Sequence, residues 1–281
     1  MSENCTHDCS SCGADCPSRN APESLQAPQN AFSHVKKVIG VVSGKGGVGK
    51  SMVSSMLAVL SRRKGMDTAI LDADITGPSI PKAFGIHEPL MSSDEGIYPA
   101  VTSTGIRMIS LNLMLESETD PVIWRGPVIA GAVKQFWTDV MWGDVDVMYV
   151  DMPPGTGDVP LTVFQSLPLD GIVIVTTPQD LVGMIVEKAC RMAEMMNIPV
   201  VGIVENMAYY ICDNCGKRHY LFGKTEPEKI AERFHTDICA EIPVHPTLTA
   251  AFDAGSVEVC EMPWLDRLVD AILQLPGGGA R

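Results

Sequence analysis

The chain has 281 residues, 46% of them hydrophobic and 20% charged, with a formal net charge of −13. That length buries one large α/β core or two smaller ones, and the acidic balance excludes a basic stripe for nucleic acid or anionic lipid. No apolar run approaches a membrane span and the N-terminus lacks the basic start and apolar centre of a secretory leader, so a cytoplasmic protein is expected, without membrane or nucleic-acid partners.

Met1 to Asn30 is polar, interrupted by Pro17, Pro22 and Pro28, and without helical or strand period. It reads as a flexible Cys-rich segment, residues 1–30, ahead of one folded body, residues 31–281. Its cysteines, Cys5, Cys9, Cys12 and Cys16, are spaced C-x₃-C-x₂-C-x₃-C. In a cytoplasmic chain such thiols are metal ligands more readily than disulfides. Four so close can wrap a zinc ion or an iron–sulfur cluster, and idle thiols on a tail are the alternative.

From Val38 onward, apolar strands alternate with helices. The expected strands are Val38–Ser43, Thr68–Asp72, Ile106–Leu111, Val145–Asp151, Gly171–Thr176, Val200–Glu205 and Asp237–Ile242. The expected helices are Lys50–Lys64, Pro127–Trp142, Asp158–Leu167, Leu181–Met196 and Glu226–Arg233, closed by Thr247–Ala254 and Leu265–Leu273. Near-continuous apolar strands separated by helices predict an α/β fold, a mostly parallel sheet with helices on both faces. Glu88–Thr104 reads as a long surface excursion.

The first strand runs into Gly44-Lys45-Gly46-Gly47-Val48-Gly49-Lys50-Ser51, and the helix continues through Met52. Strand, glycine turn and helix are the context of the phosphate-binding pattern G-x-x-x-x-G-K-[ST]. Glycines let backbone N–H groups approach phosphate oxygens, and the helix N-terminus adds its positive end. Lys50 would reach the β- and γ-phosphates, and Ser51 would place its hydroxyl on Mg²⁺. Leu71-Asp72-Ala73-Asp74 closes the second strand where open α/β sheets bind ligands. Asp74 would position an attacking water or hold a Mg²⁺-bound one, or else serve as an ordinary turn residue.

Val147–Asp151 ends in a carboxylate of the Walker B kind, placing Asp151 with Ser51 and Asp74 around Mg²⁺. Gly155, Thr156 and Gly157 follow as a switch loop that a γ-phosphate could order, and Asp158 suits a helix N-cap. Cys212-Asp213-Asn214-Cys215-Gly216 is half of a metal knuckle with no second pair nearby in the chain. It is a redox dithiol, a half-site completed by another molecule, or incidental. A twofold homodimer would supply the missing half. His219 is read as an exposed loop histidine, and Cys190, Cys239 and Cys260 as small core hydrophobes.

Together these motifs resemble the Mrp/ApbC family of P-loop iron–sulfur cluster carrier ATPases, over about Lys36 to Pro263. The carriers are Gly44–Ser51, Asp72-Ala73-Asp74 with Gly77-Pro78-Ser79, Trp124-Arg125-Gly126-Pro127, Asp151–Asp158, Glu205-Asn206-Met207 and Cys212-x-x-Cys215. The resemblance implies the deviant Walker A group, in which Lys45 reaches the partner's nucleotide across a dimer. It implies that Asn206 reads the adenine edge. It also implies slow ATP hydrolysis and a [4Fe–4S] cluster bridging Cys212 and Cys215 of two chains. The implied partners are cluster scaffold proteins and apo iron–sulfur proteins. A reductase that retains its bridging cluster and a MinD/ParA-like positioning ATPase share the fold. Arg267 and Arg281 against Glu261, Asp266 and Asp270 leave the C-terminal tail without the basic helix that a positioning ATPase needs. The N-terminal cysteines are closer to the longer family members, with a spacing of their own.

Overall fold

The computed structural model describes residues 26–74, 79–114, 126–155, 157–178, 184–225 and 227–278. Its strands are β1 (Ser33–Val35), β2 (Val38–Ser43), β3 (Thr68–Asp72), β4 (Ser92–Ser93), β5 (Gly96–Ile97), β6 (Ala100–Val101) and β7 (Arg107–Ser110). They continue as β8 (Gly143–Val145), β9 (Val147–Asp151), β10 (Gly171–Thr176), β11 (Val200–Glu205), β12 (Tyr210–Ile211), β13 (Arg218–His219) and β14 (Cys239–Glu241). The helices are α1 (Lys50–Arg63), α2 (Ile80–Ala83), α3 (Gly126–Thr138), α4 (Asp158–Ser166), α5 (Met184–Met195), α6 (Pro227–Arg233), α7 (Pro246–Asp253) and α8 (Asp266–Gln274).

The main sheet has eight strands in the order β14-β11-β10-β2-β9-β3-β7-β6. Every pairing is parallel except the short edge strand β6 against β7. Every residue of β2, β9, β10 and β11 is buried, which explains their β-branched, non-alternating text: both faces are covered. Val38 and Val42 of β2 join a core with Phe136, Trp137, Phe164 and Val186, while Ile39 and Val41 join another with Met56, Leu57, Leu268 and Ile272. Helix α1 is buried continuously from Val53 to Ser61, because α8 packs on it in addition to the sheet.

The α/β expectation holds, and several boundaries shift. The helix expected over Pro127–Trp142 stops at Thr138, and Val140 and Trp142 turn inward, both buried. Gly143, at φ 65°, then redirects the chain into β8. The last expected strand shortens to Cys239–Glu241 and the third to Arg107–Ser110. The surface excursion contains the hairpin β4–β5 and the edge strand β6. Ala27, expected in the flexible segment, is packed against the folded body. Ala27 is buried, its N–H donates to Ser166 O at 2.8 Å, and its carbonyl accepts from Trp137 Nε1 at 3.0 Å. Cys5, Cys9, Cys12, Cys16, Gly77, Pro78, Trp124, Arg125 and Thr156 lie outside the described residues.

Candidate nucleotide and cysteine sites

Parallel strands bring their C-terminal ends to one edge of the sheet, and here that edge collects the charged residues. Asp151 lies beside Asp72 and Val41 in register, and Ser43 beside Val175. β2 therefore releases the glycine loop between two strands whose ends carry polar groups. Gly47 and Gly49 take left-handed φ values of 81° and 86°, which a side chain would resist. Gly49 is the N-cap of α1 and supplies no side-chain cap, so the first-turn N–H groups face the loop.

Lys50 is buried and its Nζ lies 2.9 Å from Asp151 Oδ2 and 3.2 Å from Asp74 Oδ2. Both contacts are ion pairs by distance, and neither is aligned as a hydrogen bond. Burial alone would lower the lysine's pKa, but the two carboxylates outweigh it and hold the ammonium above its ordinary value. Ser51 Oγ and Ser54 Oγ each donate to Asp151 at 2.6 Å. Asp72 accepts from Ser110 Oγ at 2.9 Å and from the Asp74 N–H at 3.1 Å. Complete burial, reinforced by the Asp151 charge, raises the Asp72 pKa well above the usual carboxylate range. The site thus gathers three carboxylates around one buried cation.

Lys45 is exposed, and its carbonyl accepts from Ser43 Oγ at 3.0 Å. Gly155 N–H donates to Ser43 O at 2.9 Å, tying the segment after β9 to the last residue of β2, while Gly157 is exposed. Asn206 is buried against the loop. Its Nδ2 donates to Val48 O at 2.9 Å and its Oδ1 accepts from the Met207 N–H at 3.0 Å. Its amide is therefore engaged with protein backbone, beside a cavity of about 280 Å³. Gly47, Gly49, Met52 and Asn206 line one side of that cavity, and Pro243, Val244, Leu248 and Phe252 the other.

Sequence reading missed Ser54, Ser110 and the wall from Pro243 to Phe252. Ser54 was detectable, since it lies three residues beyond Ser51 on the same helical face. The wall was not, because it comes from a segment almost two hundred residues distant from the loop.

The cysteine pair sits on the hairpin β12–β13, with Ile211 opposite Arg218 and Tyr210 opposite His219. The Cys212 N–H donates to Lys217 O at 2.9 Å and the Gly216 N–H to Cys212 O at 2.8 Å. Backbone N–H groups of Cys215 and Asn214 point at the Cys212 thiol and lower its pKa. Such donors stabilise a thiolate, the form that binds metal. Burial pushes Cys190 and Cys239 the other way, to about 12. Among the described residues no three His, Cys, Asp or Glu side chains converge as a metal site. The hairpin offers two thiols, and His219 is exposed on β13.

The family model described as a NUBPL iron-transfer P-loop NTPase, of the ParA group, matches residues 34–273. The chain is 47% identical over 242 residues to the iron-sulfur cluster carrier protein of Clostridium perfringens, covering 83% of this chain and 85% of that one. It is 44% identical, with a TM-score of 0.75, to the solved nucleotide-binding protein of Archaeoglobus fulgidus in complex with ADP, covering 83% of this chain and 91% of that one. The septum site-determining protein MinD of Pyrococcus horikoshii, complexed with Mg-ADP, matches at 17% identity and a TM-score of 0.54, over 88% of this chain and all of that one, a likeness of fold. Among the described residues no helix is long and apolar enough to cross a membrane.

Proposed function

Because this chain belongs to the iron-transfer P-loop NTPase family, we propose that it is an ATP-hydrolysing carrier that binds a [4Fe–4S] cluster between two copies of itself and passes it to apo-proteins. The observation that carries the reading is that one chain holds both a glycine loop of the phosphate-binding pattern and a hairpin whose Cys212 thiol meets backbone N–H donors beside Cys215. Four-thiolate clusters need twice that donor set. A twofold dimer provides it.

The phosphates of ATP would lie on Gly44–Ser51, against the N-terminus of α1. The base would enter the cavity bounded by Asn206 and Pro243. An all-oxygen donor set of Ser51, Asp74 and Asp151, with more carboxylates than cations, fits a hard divalent ion such as Mg²⁺. Bound there, that ion would neutralise charge on the β- and γ-phosphates. Lys50, now shared between Asp74 and Asp151, would turn its ammonium to the phosphate oxygens. Asp74, released from it, would orient water for in-line attack. Lys45, exposed at the loop tip, would act across the dimer on the partner's nucleotide. Gly155, with Thr156 and Gly157, would report the γ-phosphate through its bond to Ser43 O.

The cluster is cargo in this scheme: scaffold proteins load it onto Cys212 and Cys215, and apo-proteins remove it. Cys5, Cys9, Cys12 and Cys16 would hold a second cluster or a zinc ion. The test is anaerobic reconstitution with iron and sulfide. The expected product carries about four irons per two chains at the hairpin site, lost in Cys212→Ala, and transferable to an apo-ferredoxin. Full cluster content in Cys212→Ala, or one zinc per chain without iron or sulfide, would overturn the reading.

A further inference from the structure

One buried carboxylate lies outside the nucleotide site. Glu205 ends β11 with 1% of its surface exposed. The chain leaves the main sheet immediately after it, runs through Cys212, Cys215 and the hairpin β12–β13, and returns at Thr225, ahead of α6. Thr225 Oγ1 donates to Glu205 Oε1, so one side-chain bond joins the point of departure to the point of return. The outgoing limb has two backbone bonds to the segment after β14, from the Ala208 N–H to Ile242 O and from the Val244 N–H to Tyr209 O. Among the described residues, the returning limb from Arg218 to Thr225 has no hydrogen bond to the main sheet except the one to Glu205. Burial raises the Glu205 pKa, the Thr225 hydroxyl opposes the rise, and the charges of Glu241 on β14 and Glu228 on α6 add to it. Cys239 of β14 and Thr176 of β10, its neighbours across the sheet, bring no positive charge. Lys224, beside Thr225 in the chain, lies over the Tyr220 ring, 6.0 Å from its centroid.

We propose that Glu205 is a positioning residue for the cysteine pair: its bond to Thr225 clasps the cysteine-bearing excursion at its base, and its charge state sets how firmly. Protonated, the carboxyl stays buried and accepts from Thr225. Ionised, it stands near two other carboxylates, and among the described residues the Thr225 hydroxyl is the group that supports its charge. The clasped state therefore holds the proton more tightly than a state in which the limb is released and Glu205 meets water. By linkage, release becomes easier as pH rises above the ordinary glutamate value, by at most about tenfold per pH unit for one proton. Rising pH thus loosens the limb that carries the thiols back to the body, whether or not they hold a cluster.

Trypsin tests this at the bond between Lys224 and Thr225, which cannot enter a protease while Thr225 holds Glu205. The full chain, metal-free and without nucleotide, is cut from pH 5.5 to pH 8 and the product measured by mass spectrometry. Each rate is divided by that of a peptide of the same local sequence at the same pH, which cancels the enzyme's own preferences. The corrected rate reports the population of the released limb. In the wild type it should rise at least about threefold over this range. Glu205→Gln keeps an acceptor for Thr225 without a proton to lose, and should abolish the rise while staying near the wild-type rate at pH 5.5. Thr225→Val removes the clasp and should be cut about fivefold to tenfold faster than wild type at pH 5.5, the loss of one hydrogen bond. Asp213, His219 and Cys212, the other titratable groups of the excursion, are retained in Glu205→Gln, so the difference between the two chains isolates Glu205. Unchanged resistance of the rest of the chain to trypsin establishes that each variant is folded, and the wild-type profile stands without either variant. A wild type without the rise, or a Glu205→Gln chain that keeps it, overturns the charge dependence. Thr225→Val cut like wild type overturns the clasp. None of these outcomes bears on the carrier reading, which is tested at Cys212.

Discussion

Lys50→Met is the perturbation with the largest worked consequence. It removes the buried cation that lies 2.9 Å from Asp151 and 3.2 Å from Asp74, in a site where Asp72 is also fully buried. Taking one partner from a buried pair costs about 3–5 kcal/mol, because the remaining charge is neither solvated nor paired. Asp72 has an escape: it can take up a proton. Asp72 already titrates well above the usual range, from burial first and the Asp151 charge second, and the lysine is what restrains that rise. Without it the native state binds more protons than the unfolded chain between the ordinary Asp value and the raised one. Where the native state binds more protons, stability falls as pH rises. The deficit of Lys50→Met should therefore be largest near pH 8. It should shrink toward pH 5 by about 1.4 kcal/mol for each pH unit over which one carboxylate stays protonated only in the folded chain. Lys50's own raised value contributes nothing to this window, since its stabilisation is lost only above the ordinary lysine range. Urea unfolding of nucleotide-free protein at several pH values measures the effect. Lys50→Met/Asp151→Asn should recover about 1–3 kcal/mol through the coupling of the two residues. A deficit constant from pH 5 to pH 8, or no recovery in the double variant, would refute the reasoning.

Gly49→Ala places a Cβ 2.2 Å from Asn206 Nδ2 at φ +86° and should cost about 1–2 kcal/mol from the backbone alone, while displacing Asn206 and weakening ADP binding measured by calorimetry. Gly65→Ala, at φ +85° with nothing within 4 Å, should carry a similar stability cost and leave ADP binding intact. Iodoacetamide at pH 7.5, followed by peptide mass spectrometry, should label Cys212 well before Cys190 or Cys239, because backbone N–H groups lower the first thiol and burial raises the others to about 12. Lys45→Ala should reduce ATP hydrolysis by about tenfold or more while sparing nucleotide binding by the monomer; equal loss of both would argue against action in trans.

The central strands were legible to the residue. β2, β3, β10 and β11 begin and end where their apolar text does, because a strand covered on both faces has no polar position to blur its limits. β1, β6 and the small hairpins were not, since two or three residues carry no period and their pairing is decided by distant partners such as Gly143 for Ser33. Ala27 was placed in a tail because its neighbours are polar and proline-rich. It is held by Ser166 and Trp137, which sequence separation hides. At the site, the loop and its carboxylates were readable as types at fixed places. The sharing of Lys50 between two carboxylates was not, because it depends on which strands are adjacent.

Adjacency also links the phosphate loop to the cysteine hairpin by a short path. Asn206 directly follows β11; its N–H donates to Thr176 O at 2.8 Å and its side chain holds Val48 O. The next residue, Met207, turns the chain at φ 57°, and Cys212 follows five positions later. Between them, the Ala208 N–H donates to Ile242 O at 2.9 Å, and Tyr209 O accepts from the Val244 N–H at 2.8 Å. Val244 lines the cavity beside Asn206. The base of the cysteine hairpin is thus fastened at one end to the phosphate loop and along its length to the cavity wall. A displacement imposed on either would reach the hairpin through these bonds. Packed interiors transmit such strain. A tilt of the hairpin changes the separation of two apposed Cys212–Cys215 pairs, and a four-thiolate site tolerates little change in that separation. Under the proposed carrier function, ATP would act on the cluster by repositioning its ligands, with Asn206 linking the loop to the hairpin.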